Sequence, residues 1–163
     1  MKQFILILLF TYLSIPSKAC SCIGESTAEN EIKKSEIVVL GKVNSIERVY
    51  IKFKNLDDFE KIDSTLSGLF LNKISFQVTS IFKGKRSMKN ITIYTGIGGG
   101  DCGFYFKKGL EYILYASKQN LDFSKKFNTE NFSESFWTDI CTRTQKQNSD
   151  EIKRISKFRK RKR

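Results

Sequence analysis

The four cysteines have the clearest chemistry in this sequence of 163 residues. Cys20 and Cys22 are separated by one residue, whereas Cys102 and Cys141 lie far along the chain. An even number of cysteines in an exported chain is typical of structural disulfides, and four cysteines allow three pairings. The sequence contains no C-x-x-C pair, so it supports neither a zinc knuckle nor a thioredoxin-type redox motif. We therefore expect two disulfides, with the pairing open.

Residues 1–19 have the features of a secretory signal peptide. A lysine precedes an apolar run from Phe4 to Ile15, which is too short to span a bilayer. Ser17 and Ala19 supply the small residues at positions −3 and −1 of a cleavage site. Cleavage there would make Cys20 the first residue of a secreted, extracellular chain.

Lipid attachment to Cys20 is the alternative route of processing. A bacterial lipoprotein signal prefers leucine three residues before the modified cysteine and a small residue two before it. Ser17 and Lys18 occupy these positions here. The sequence therefore favours ordinary secretion over a lipid anchor.

The composition argues against catalysis. The chain has no histidine, which removes the commonest general base and the commonest metal ligand. The sequence also shows no nucleophile paired with a base and no metal-binding cluster. We expect a protein that is not an enzyme and that needs no cofactor.

The positive charge is concentrated at the C-terminal end. The formal net charge is +12 for the whole chain and +10 without the two lysines of residues 1–19. Residues 152–163 hold eight lysines and arginines and no acid, which leaves +2 on residues 20–151. This nearly neutral body argues against nucleic-acid binding. We expect this basic tail to be dispensable for folding. It is either a solvated, partly frayed terminus or a segment that attaches to anionic polysaccharide, lipopolysaccharide or acidic lipid.

Hydrophobic periodicity predicts several short strands between two helices. Ser26 and Glu29 form a capping-box pattern, which predicts a short helix that ends near Ser35. Residues 51–69 and 118–135 are polar and predict loops. Asn148 and Glu151 can cap a final amphipathic helix that carries Ile152, Ile155 and Phe158. The first predicted strand covers residues 37–43, with a bulge or bend at Gly41 and a weak continuation to 49–50. The further predicted strands cover residues 74–82, 91–95 and 110–116, and a short apolar stretch follows at 136–141.

This element pattern predicts a mainly β domain. About five short strands with an early helix and a late helix fit a small Greek-key barrel, such as the oligonucleotide/oligosaccharide-binding (OB) barrel. Composition alone does not distinguish that barrel from a small sandwich.

The order of several motifs resembles the N-terminal, netrin-like domain of the tissue inhibitors of metalloproteinases. The resemblance covers nearly all of residues 20–142. It depends on the combination of Cys20-Ser21-Cys22 at the mature N-terminus, Ser35 to Val43, Ile81-Phe82-Lys83-Gly84, Asp101-Cys102-Gly103-Phe104-Tyr105-Phe106 and Phe136-Trp137-Thr138-Asp139-Ile140-Cys141.

This resemblance implies a fold and a disulfide pairing. The fold is a mainly β, five-stranded OB-like Greek-key barrel with an early short helix and a C-terminal helix. The implied bridges are Cys20–Cys102 and Cys22–Cys141. Residues 20–145 would form the netrin-like domain, and residues 146–163 a basic C-terminal helix or tail. The family's third bridge and its C-terminal subdomain are missing here.

The resemblance also implies a secreted metalloendopeptidase inhibitor. The α-amine and carbonyl of Cys20 would chelate the zinc of the target protease, and the chain would hold no metal of its own. Ser21 would face the specificity pocket of the protease. The residues expected to contact the protease are Cys20, Ser21, Cys22, Ile23, Gly100, Asp101 and Cys102. The alternative function is a netrin-like secreted module that binds or adheres to protein or anionic polysaccharide.

Mass spectrometry of the mature N-terminus tests the processing expected here. We expect a chain that begins at Cys20 with a free α-amine, because the cleavage site follows Ala19. Acylation of Cys20 would contradict the inhibitor hypothesis, since it would consume both the donor nitrogen and the sulfur that forms a disulfide.

Overall fold

The computed structural model describes residues 20–22, 24, 26–52, 68–98, 100–118 and 135–161. The predicted signal peptide, Ile23 and most of the two predicted loops lie outside the described residues. The described part contains six strands and two helices. They are, in chain order, α1 (Ala28–Lys34), β1 (Ile37–Lys52), β2 (Gly68–Lys83), β3 (Asn90–Thr95), β4 (Glu111–Lys118), β5 (Ser135–Trp137), β6 (Gln145–Lys146) and α2 (Ser149–Arg161).

Five of the strands form a closed sheet. The strands pair in the order β1-β2-β3-β5-β4, and β1 pairs with β4 to close the barrel. The β3–β5 pairing is parallel and the others are antiparallel. The expected mainly β, five-stranded closed barrel with two short helices is confirmed. The two-residue β6, which the sequence analysis did not predict, adds to the outer edge of β4.

Gly41 lies in the part of β1 that pairs with both neighbouring strands, β2 and β4. The strand pairs with β2 along its length and with β4 over residues 37–42, and its register with β2 shifts between Leu40 and Gly41. A Cβ atom on Gly41 would lie 2.3 Å from the carbonyl oxygen of Gln77, so only glycine fits this close approach. The register shift is the kind of irregularity that the predicted bulge or bend at Gly41 implies.

The barrel interior is filled by the inward-facing side chains of the strands. On β2, Ile74 and Phe76 are buried while Gln77 is exposed, as the alternation in the sequence indicates. Phe106, which precedes β4, packs its ring edge-on against Tyr112. The buried members of this core are Ile37, Val39, Val43, Ile74, Phe76, Ile91, Ile93, Phe106, Tyr112, Leu114, Ala116 and Phe136.

The β1–β2 hairpin is longer than predicted. Residues 51–52 and 68–69 belong to the strands, so the predicted loop over 51–69 is wrong at both ends. Ile51 and Leu71 are buried against Trp137 in a small separate cluster. This packing against a distant residue explains why a polar local sequence still forms paired strands.

The N-cap of the early helix lies one residue later than predicted. Thr27 is the N-cap, and its side-chain oxygen accepts a hydrogen bond from the Asn30 N–H at 3.2 Å. Ser26 instead donates to the buried carboxylate of Glu31 at 2.6 Å. The predicted Ser26–Glu29 capping box is therefore wrong, although the helix itself is confirmed.

The C-terminal helix α2 packs on the outside of the barrel. Asn148 caps it by accepting from the Asp150 N–H at 2.9 Å. Ile155 is only 2% exposed and packs with Ile113 of β4 and Ile32 of α1. The prediction of a solvated tail therefore holds only for the outer face of this helix, because its apolar face completes a second core.

Replacing Ile155 with alanine should destabilise the protein. We expect a loss of about 2–5 kcal/mol, because the smaller side chain leaves a cavity under α2. Urea denaturation followed by tryptophan fluorescence measures the loss. The control is Lys153→Ala at an exposed position of the same helix, where we expect a change within about 0.5 kcal/mol. Equal stability of the two variants would contradict the packing of α2 as a core element.

Candidate functional site

The two disulfides connect the start of the described chain to two separate loops. Cys20 is bonded to Cys102 and Cys22 to Cys141, with Cα–Cα distances of 5.6 and 5.2 Å. The pairing implied by the family resemblance is therefore confirmed. Because both cysteines of a three-residue segment are bonded, Ser21 is held between two covalent attachments.

The loop that carries Cys102 is organised by the carboxylate of Asp101. Its Oδ2 accepts from the Ile97 N–H at 2.6 Å, and its Oδ1 accepts from the N–H groups of Gly98 and Gly103 at 2.8 and 3.1 Å. One carboxylate thus accepts from backbone N–H groups that precede and follow it in the chain, which holds the two halves of the loop together. Asp101 therefore shapes the loop from within, although the residue is exposed.

The same loop is closed by a close approach of its two ends. A Cβ atom on Gly103 would lie 2.2 Å from the carbonyl oxygen of Gly96, so a side chain does not fit there. Cys102 has a φ of 58°, in the left-handed region that disfavours side chains. The disulfide and the compact loop hold Cys102 in this strained conformation.

The segment that carries Cys141 is fixed by a turn and by buried hydroxyl groups. The Asp139 carboxylate accepts from the Cys141 N–H at 2.9 Å. Thr138 and Thr144 both donate their hydroxyls to the carbonyl oxygen of Tyr115 on β4, at 3.0 and 3.1 Å. Barrel strand β4 therefore positions the loop that receives the second disulfide.

A backbone hydrogen bond joins the two disulfide-bonded loops. The Ile140 N–H donates to the carbonyl oxygen of Cys102 at 3.0 Å. The Cys20 sulfur lies 3.8 Å from the Gly100 carbonyl oxygen, a van der Waals contact since a disulfide sulfur carries no hydrogen. We call the surface formed by Cys20–Cys22, Gly100–Cys102 and Ile140–Cys141 the disulfide tip.

Most of the predicted contact residues meet at the disulfide tip. Cys20, Ser21, Cys22, Gly100, Asp101 and Cys102 lie there, and Ile23 is outside the described residues. Ser21 is exposed between the bridges, as predicted. Sequence reasoning missed Ile140, which is 46% exposed and next to Cys141. Its position beside a cysteine was the signal that could have identified it.

An ion pair between a partly buried arginine and a buried glutamate holds the segment that follows the disulfide tip. Arg143 donates from Nε and Nη2 to the two carboxylate oxygens of Glu151, both at 2.7 Å. Its Nη1 donates to the carbonyl oxygen of Ser26. The Tyr115 hydroxyl donates to Glu151 at 2.6 Å. The network thus connects the N-terminal segment to β4 and α2.

The network shifts the pKa values of its members. Burial alone would raise the pKa of Glu151, but the hydrogen bonds from Arg143 and Tyr115 outweigh it and hold that pKa below its usual value. Burial, followed by the hydrogen bond to Glu151, raises the pKa of Tyr115. The hydrogen bond to Glu151 raises the pKa of Arg143 despite its partial burial. The pair is therefore ionised at neutral pH.

The described residues include no group of three histidine, cysteine, aspartate or glutamate side chains placed to bind a metal ion. Within the same residues, no helix is both long enough and apolar enough to cross a membrane. A scan of the chain against protein-family models gave no match, and a search of the curated proteins gave no match either.

Replacing Glu151 with glutamine should remove an acid-sensitive part of the stability. A depressed folded-state pKa stabilises the native state above the unfolded pKa, about 4.3 for glutamate, and this contribution is lost as the pH falls through the folded pKa. We therefore expect the stability difference between the native protein and Glu151→Gln to be constant near neutrality and to shrink below about pH 4.3. Urea unfolding across this pH range measures it, with Asp150→Asn as the exposed control. A difference that does not depend on pH would contradict the role given to Glu151.

Proposed function

We propose that the protein is a secreted inhibitor of zinc metalloendopeptidases that acts through Cys20 as its mature N-terminal residue. One observation carries the proposal. The first three described residues are attached by two disulfides to two loops that hydrogen-bond to each other, and Ser21 is left exposed between them. This is the arrangement that a zinc-directed N-terminus needs.

The chemistry of a catalytic zinc explains why such an N-terminus would inhibit. A catalytic zinc keeps one coordination position open for water or substrate. The α-amine of Cys20 is a suitable ligand once signal cleavage frees it. An α-amine has a reference pKa of about 7.7–8.0, so a useful neutral fraction exists near physiological pH. The Cys20 carbonyl oxygen would complete a chelate, while Ser21 enters the adjoining pocket.

The disulfides reduce the entropic cost of binding. A free chain terminus would lose conformational freedom when it enters an active-site cleft, and that loss would weaken the complex. Here Cys20 and Cys22 are each bonded to a loop that is ordered by its own hydrogen bonds. Most of the ordering therefore takes place during folding and oxidation, before the protease is met.

The surface around the disulfide tip supplies further contacts. Stable protein interfaces involve about 20–30 residues on each side, more than the tip itself contains. Ile97, Tyr105 and Ile140 are 37%, 77% and 46% exposed and belong to the loop of Cys102, the chain just after it and the loop of Cys141. Aromatic and large apolar side chains of this kind often carry much of the binding energy in an interface.

The strand order and the pairing of the disulfides support the finer parts of the proposal. A closed Greek-key barrel of five strands is compatible with an OB-like, netrin-like domain. Two disulfides are compatible with an extracellular protein. The zinc in this proposal belongs to the target protease, and the inhibitor needs neither a cofactor nor catalytic groups.

A secreted binding or adhesion module is the second candidate function. The β1–β2 hairpin carries Ile46, Tyr50 and Phe70, which are 39%, 43% and 52% exposed. A groove of about 260 Å³ separates this hairpin from Ile97 and Tyr105. Exposed apolar surface of this kind is typical of protein-binding sites. This function needs no free α-amine, which distinguishes it from inhibition.

Adding one alanine before Cys20 should abolish inhibition of zinc proteases while the fold and both bridges remain. The added residue moves the amine by about 3.3–3.6 Å of extended chain, whereas a zinc–nitrogen bond is only about 2.0–2.1 Å long. Inhibition constants measured against a panel of zinc proteases give the result. Ser21→Ala is the matched control, because it changes the same segment but leaves the amine in place. We expect Ser21→Ala still to inhibit, with a different ranking of the inhibition constants among the proteases of the panel.

Carbamylation of the α-amine should have the same effect as the added alanine, because it removes the lone pair that binds zinc. Near neutral pH the α-amine reacts ahead of the lysines, whose pKa is higher. Equal inhibition by the native and alanine-extended forms would rule out the mechanism. If the native form inhibited no protease of the panel, the binding-module function would be favoured instead.

A further inference from the structure

The outer face of α2 is strongly basic. Lys153, Arg154 and Lys157 are exposed on it, and the sequence adds five consecutive basic residues at 159–163. Asp150 pairs with Lys153 at 3.5 Å, which offsets one of these charges. The basic residues of the helix run from Lys153 to Arg161, which is about 12 Å along its axis. This linear arrangement contrasts with the nearly neutral remainder of the secreted chain.

A groove runs beside this basic line. Its volume is about 540 Å³, and it lies between residues 26–29 and the middle of α2. Arg154 and Lys157 are three residues apart and line the same side of it. Arg143 also borders the groove, but its guanidinium is engaged by Glu151 and Ser26. The exposed cations available to a ligand in the groove are therefore those of α2.

The packing of α2 argues against a lipid surface as its partner. A helix that lies in a membrane interface inserts its apolar face between the lipids. Here Ile155 is 2% exposed, and Ile152 and Phe158 pack against the same core. The apolar face would have to leave the protein before it could enter a bilayer, which would expose the second core.

The composition of the groove also argues against a protein or a single-stranded nucleic acid as its partner. Among the described side chains, the large exposed apolar ones all lie outside α1 and α2. Protein interfaces usually depend on buried apolar or aromatic anchors, and single-stranded nucleic acids usually stack on exposed aromatic rings. Phe158 also lines the groove, but it packs against the second core and is only partly exposed, so the fully exposed lining side chains of α2 are the cations Arg154 and Lys157.

We propose that α2 binds a linear, sulfated or carboxylated polysaccharide, with one acidic group of the polymer held in the groove between Arg154 and Lys157. Charge complementarity carries this assignment, because a line of cations matches the regularly spaced anions of such a polymer. Glu29 is also among the residues that line the groove. The site does not depend on a free α-amine at Cys20, so it is independent of the proposed inhibition.

Binding of a fluorescently labelled heparin octasaccharide to the full secreted chain tests the site by fluorescence anisotropy. We expect Arg154→Gln/Lys157→Gln to bind about tenfold to thirtyfold more weakly at low ionic strength, since each cation near an anionic surface contributes about a factor of five. Lys107→Gln/Lys108→Gln is the matched control, because it removes the same charge from exposed positions outside the groove. We expect this control to bind within about threefold of the native chain.

A further variant makes the test specific to charge. Arg154→Lys/Lys157→Arg keeps both charges and should retain the affinity. Thermal unfolding of each variant shows whether the fold is intact. Equal losses in the two double-glutamine variants would overturn the groove as a site. Tighter binding to duplex DNA or to vesicles rich in phosphatidylserine than to the octasaccharide would overturn the assignment of the partner.

Discussion

The fold and the candidate site both depend on two covalent links between the N-terminal segment and distant loops. The bridges span 82 and 119 residues, and on the chain-entropy model each stabilises the fold by about 4–5 kcal/mol. They also join a three-residue segment to a barrel that it does not enter as a strand. The barrel therefore acts as a rigid support. The disulfide tip is held in place because both of its bridges end in loops that the barrel positions.

Much of the barrel could be predicted because its strands have local signals. The sequence indicates the alternation after Ile74 and an irregularity at Gly41, and the structure has both, the second as a shift in register. The ends of the β1–β2 hairpin could not be predicted in the same way. Ile51 and Leu71 form strands because they pack against Trp137, which lies at least 66 residues away along the chain. Tertiary packing outweighed a polar local composition at these positions.

Some features of the candidate site could likewise be predicted from the sequence, whereas others depend on contacts between distant residues. The cysteine spacing and the family resemblance predicted which residues meet at the disulfide tip. They did not predict that the Asp101 carboxylate accepts hydrogen bonds from the backbone of its own loop, or that Ile140 is exposed at the disulfide tip. Arg143 was also missed, because its partner Ser26 is 117 residues away and no local pattern reveals such a contact.

The chain uses two kinds of attachment for its two candidate surfaces. The disulfide tip is held by covalent bonds, whereas α2 is held by apolar packing and by the ionised Arg143–Glu151 pair. Acid should therefore loosen α2 while the bridges persist, and reduction should release the tip without neutralising Glu151. Arg143 also bonds to Ser26, so the helix and the N-terminal segment share one anchor. Loss of α2 would remove Glu151 from this anchor and leave Arg143 bonded to Ser26 alone, while the two bridges would still hold the tip.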